Sequence, residues 1–109
     1  MRATSEQHDR LTRELNEERA AALTRISRTL ESLIAQLHDL RRSLVTPGGM
    51  EMATGSQRQR ALDTYREVRA QALRYRWYLE VQREAIGLRH HHRLDEFYAV
   101  PPEINSEWN

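Results

Sequence analysis

The residues best suited to chemistry are three consecutive histidines, His90-His91-His92, with Glu96 four positions beyond the last of them. Imidazole and carboxylate one helical turn apart can hold zinc or iron, and His38, earlier in the chain, would join them if the chain folded back. Successive residues of a helix or strand point in different directions, so at most two of the three histidines can serve one ion. The segments that read as long helices also lack the Glu-x-x-His pair used by diiron helical bundles. A solvated histidine run at a helix end is the simpler reading. A metal-binding helical protein using His38, His90, His92 and Glu96 stands as one alternative.

Arginine is the second chemical resource. All 17 basic side chains counted as Lys or Arg are Arg, and nine of them fall within residues 57–93 together with Tyr75, Trp77 and Tyr78. Guanidinium on phosphate and bases on aromatic faces are the physical basis of single-strand binding. Arg66, Arg69, Arg74, Arg76 and Arg83 would be the contacts. A net charge of +1 and an isoelectric point near 8.3 fall short of the usual basic footprint. A nucleic-acid-associated regulator is therefore the second alternative. The exclusive use of arginine is explained more simply by a GC-rich bacterial genome, whose codons favour it over lysine.

Enzymatic chemistry finds no support. The absence of cysteine excludes disulfides and thiolate metal sites. There is no Gly-x-Ser-x-Gly elbow, and Gly48-Gly49 lacks the lysine and spacing of a phosphate loop. The chain reads as non-enzymatic, with no cofactor.

These residues must be carried by helices. From Leu11 the apolar positions Leu11, Leu15, Ala22, Ile26, Leu33, Leu37 and Leu44 repeat every eleven residues, close to the natural helix period. Leu30 and Leu40 widen the stripe. Thr4 and Gln7 form a possible capping box near the start. The pattern predicts a first helix over about 5–45 and a turn at Pro47-Gly48-Gly49, with Met50 and Met52 tucked under the tip, in a loop over 46–56. A second capping box at Ser56 and Gln59 opens a helix over about 57–87, with a heptad seam through Ala61, Tyr65, Val68, Ala72, Tyr75, Leu79, Gln82 and Ile86. Gly87 ends it, a short helix follows over about 88–98, and Pro101-Pro102 begins an extended tail over 99–109. The whole is one all-α domain, 1–109, a long antiparallel helical hairpin.

The second helix has more apolar circumference than one neighbour can cover. Leu73, Trp77, Val81 and Leu88 form a line off the seam, and Phe97, Tyr98, Ile104 and Trp108 add anchors in the tail. A dimer completing a four-helix bundle is the closed solution expected most often. Charge supplies a further expectation. Residues 1–56 are neutral on balance, residues 57–93 carry a net +5 and residues 94–109 a net −4. The acidic tail is therefore expected to fold against the basic helix, the alternative being that it reaches another protein.

In length and hairpin outline the chain resembles the small secreted WXG-type proteins. Their Trp-x-Gly turn is missing where Pro47-Gly48-Gly49-Met50 stands, and Pro101-Pro102-Glu103 lies at the wrong end for the related Pro-Pro-Glu proteins. No family is assigned. The first nine residues lack the apolar core of a signal peptide, and no run approaches the ~18 apolar residues that span a bilayer. The reading is a cytoplasmic assembly module, self-associating through apolar helix stripes.

Overall fold

The computed structural model describes residues 2–45 and 54–104; the Pro47-Gly48-Gly49 turn, Met50, Met52 and Trp108 lie outside them. The described chain is nearly all helical, with no strand. Helix α1 runs Arg2–Val45, α2 runs Gly55–Ala85 and α3 runs His92–Phe97. With no Gly or Pro to interrupt it, α1 extends for about 66 Å at 1.5 Å per residue. It begins ahead of Thr4, so Thr4 and Gln7 lie inside the helix and do not cap it. Three further threonines are accommodated within its helical run, the hydroxyls of Thr12, Thr24 and Thr29 donating to carbonyls four residues back at 3.0–3.1 Å.

The start of α2 lies two residues ahead of the predicted capping box. Thr54 is extended and caps the helix: the Gln57 N–H donates to Thr54 Oγ1 at 3.1 Å, and the Thr54 N–H donates to Gln57 Oε1 at 2.8 Å. Ser56 therefore sits in the first turn, and Gln59 donates instead to Asp63 Oδ1 at 3.0 Å. Two Ser/Thr-x-x-Gln patterns overlap here, and the earlier one satisfies two otherwise unpaired N–H groups. At the other end Gly87 takes φ +92°, where a side chain would be strained. This lets the N–H groups of Gly87 and Leu88 donate to the carbonyls of Glu84 and Arg83 at 3.0 and 2.9 Å. Residues 88–91 form a loop, so α3 is shorter than predicted.

α1 and α2 pack as a hairpin. Arg58 reaches the Leu44 carbonyl at 3.3 Å, and Arg41 and Tyr65 converge on the same Pro102 carbonyl, so one helix ascends as the other descends. Leu30, Leu33, Leu37 and Leu44 of α1 are buried against Leu62, Tyr65, Ala72 and Leu79 of α2. The seam is closed by a third strip of chain: Leu94, Pro101 and Ile104 are also buried. Every described side chain from Thr4 to Ala21 is exposed, and α2, at 31 residues 13 shorter than the 44 of α1, ends at Ala85. The molecule measures 73 × 23 × 15 Å, with a radius of gyration of 20.1 Å against about 13 Å for a compact chain of this size. It is a rod with a thin core. No described helix is long and apolar enough to cross a membrane.

Candidate interaction surface

α2 presents three sides, two of which are covered by the chain itself. The heptad seam faces α1 as far as Leu79, whereas Ile86, its last predicted member, follows the end of the helix and is exposed. A second line recurs every seven residues: Leu62, buried in the core, then Arg69, Arg76 and Arg83, which face the returning chain. Arg69 donates through Nε to the Pro101 carbonyl at 2.9 Å and lies 3.5 Å from Glu103 Oε1. Arg76 pairs with Glu80 at 2.9 Å and with Asp95. Arg83 donates to the His90 carbonyl at 3.0 Å. Tyr65, fully buried, donates its hydroxyl to the Pro102 carbonyl at 2.7 Å. Pro101 and Pro102 cannot use their own nitrogens as donors and keep the segment extended, leaving their carbonyls to accept these bonds. The described part of the acidic tail, residues 94–104, thus folds back on the basic helix of its own chain.

This arrangement reassigns several residues. Ile104, offered by the sequence as an anchor for a partner, is only 3% exposed and belongs to the chain's own core. Tyr98 packs partly against the same core. Arg69, Arg76 and Arg83, grouped by sequence as nucleic-acid contacts, are each engaged with the returning segment. Only Arg66 and Arg74 of that set lie wholly on the outer surface, Arg66 standing 3.6 Å from Asp63. The missed signal was the seven-residue spacing of Leu62, Arg69, Arg76 and Arg83, which marks one side of a helix as clearly as an apolar heptad does.

The third side of α2 is bare. Leu73, Trp77 and Val81 share one helix face and are 43%, 58% and 39% exposed. Tyr78 extends this face, its ring centroid 5.6 Å from that of Trp77 and 5.4 Å from that of Tyr75. Leu88 and Phe97 are exposed as well, as are Leu11 and Leu15 on the projecting half of α1. Comparisons with protein-family models, curated proteins and solved structures gave no match. The surface is therefore interpreted from its own chemistry.

That chemistry is apolar contact. Among the described residues no three His, Asp or Glu side chains stand together to hold a metal ion. His38 is exposed on α1, and His90 is exposed in the loop after α2. His91 bonds through Nε2 to Glu84 Oε1 at 3.0 Å. The side chain of His92 lies outside what the structure describes, and Glu96 is exposed on α3.

Proposed function

We propose that the protein is a non-enzymatic assembly module, which buries the Leu73-Trp77-Val81 face against a second copy of itself. The observation that carries this is the exposure of those three side chains on one face of a helix whose other two sides are covered. Isolated exposed leucines are ordinary, whereas an aligned apolar patch with a tryptophan at its centre is a mark of an interface.

Magnitudes bear on how much surface must take part. Covering the exposed half of one such side chain contributes on the order of 1 kcal/mol. Association costs roughly 4–15 kcal/mol in lost freedom. Three side chains from each of two copies supply about 6 kcal/mol, which meets only the low end of that cost. Adding Leu11, Leu15, Leu88 and Phe97 from each copy brings the gain to about 14 kcal/mol. The projecting half of α1 is thus drawn into the same interface. Charge favours this: residues 4–21 hold five acids against Arg10, Arg13 and Arg19, whereas Arg66 and Arg74 lie outward on α2.

Trp77→Glu tests the reading by sedimentation equilibrium. The wild-type chain is expected at twice the mass of the variant over micromolar concentrations, with unchanged helicity. A wild-type chain that sediments as a monomer at the highest concentrations would overturn it.

A further inference from the structure

The loop that joins α2 to α3 encloses a cleft of about 260 Å³ lined by Arg83, Gly87, Leu88, Arg89, His90 and Arg93. Among the described residues, three of the six that line it are arginines and none is acidic. Elsewhere on α2 three arginines have carboxylate partners: Arg66 has Asp63, Arg69 has Glu103, and Arg76 has Glu80 and Asp95. Arg83, Arg89 and Arg93 have no carboxylate partner among the described residues. Arg83 is anchored through Nη2 to the His90 carbonyl at 3.0 Å, while its Nε is buried without an acceptor. The acid nearest in sequence, Glu84, lines an adjoining groove with Arg89 and bonds to His91 at 3.0 Å.

Two opposing fields act here. The C-terminal end of α2 contributes about half a negative charge, which disfavours an anion. That end is partly satisfied, because the carbonyls of Arg83 and Glu84 already accept from Ile86, Gly87 and Leu88. Three whole positive charges outweigh the remainder. A guanidinium presents its N–H groups as a planar fork that matches the oxygens of a phosphate, and several forks around one cleft match a tetrahedral anion better than a planar one. At about 260 Å³ the cleft has room for a phosphoryl group.

We infer that this cleft is a phosphate-binding site, taking inorganic phosphate or the terminal phosphate of a small ligand on Arg83, Arg89 and Arg93. It shares only Leu88 with the surface proposed for self-association, and its three arginines are not among the residues of that surface.

The test is a titration of the full chain with sodium phosphate at fixed ionic strength, following the side-chain Nε–Hε signals of arginine by NMR. Saturable shifts confined to Arg83, Arg89 and Arg93 are expected. Arg89→Ala and Arg93→Ala should each weaken the apparent affinity about tenfold or more, the usual loss for a hydrogen bond to a charged group. Arg74→Ala, an exposed control, should leave it unchanged. Shifts that spread evenly to Arg74, or that chloride reproduces, would overturn the site as mere screening. Saturation by a single-stranded oligonucleotide and not by phosphate would overturn it in favour of a polymer. Because the wild-type titration resolves the arginines individually, poor folding of a variant would not rescue the idea.

Discussion

Tyr65 shows how one side chain can belong to two interfaces. Its ring fills the α1–α2 seam with no exposed surface, and its hydroxyl ties down the returning chain at Pro102. Tyr65→Phe keeps the ring and deletes the bond. Because Arg41 also donates to that carbonyl, at 3.4 Å, the acceptor is not orphaned. The expected loss is about 1 kcal/mol, measured as a lowered urea midpoint with an unchanged slope. Gly87 presents the opposite case, a position where only the backbone matters. An added Cβ would meet nothing within 4 Å, yet φ is +92°. Gly87→Ala is therefore expected to destabilise by about 1 kcal/mol through backbone strain alone, with no loss of packing. A variant as stable as wild type would show that the loop adopts another conformation.

At the scale of elements, the clasp between α2 and the returning segment contains both ion pairs and buried apolar groups, and these differ in weight. Asp95 is 76% exposed at its side chain, so its pair with Arg76 is screened and worth at most about 1 kcal/mol. Leu94 beside it is 4% exposed, and Leu94→Ala should cost about 2–5 kcal/mol. Chemical denaturation of Leu94→Ala and Asp95→Asn is expected to separate them clearly; equal losses would mean that charge, not burial, holds the segment. The two halves of α1 differ in the same way. Amides of residues 4–21 have no packed neighbour helix and should exchange hydrogen far faster than those around Leu30–Leu37. Uniform protection along α1 would show that something covers its first half.

Much of this was legible in the sequence, and the reasons are local. The eleven-residue spacing in α1 and the heptad in α2 placed Leu33, Leu37, Tyr65 and Ala72 in the core. Only Leu11 and Leu15 stand as large apolar residues between Arg2 and Ala22, a sparseness that fits the bare half. The start of α2 was misplaced because Thr54-Gln57 and Ser56-Gln59 offer the same cap two residues apart, and spacing alone does not rank them. The tail was read only as a trend in charge. That Ile104 is core, and that Arg69 and Arg76 face inward, depends on which side of α2 the chain returns along, and this is settled by contacts distant in sequence, Tyr65 with Pro102, Arg69 with Pro101 and Arg76 with Asp95.

At the scale of the molecule, the thin rod makes self-association and stability one question. A core only two helices and a strip of chain deep leaves Trp77 and its neighbours at the surface, and burying them would add to stability by mass action. If the assembly forms, the thermal midpoint of the wild-type chain should rise with protein concentration while that of Trp77→Glu does not. Coincident, concentration-independent midpoints would count against any interface at this face.

The order in which the layers appear along the chain has a consequence for synthesis. Both long helices leave the ribosome before Leu94, Pro101 and Ile104 do, so the nascent hairpin waits with Leu62 and Tyr65 uncovered on one side and Trp77 on the other. Chains halted between Gly87 and Leu94 should consequently be stickier than chains carried past Ile104, and a chaperone that shields apolar surface should hold the former longer than the latter.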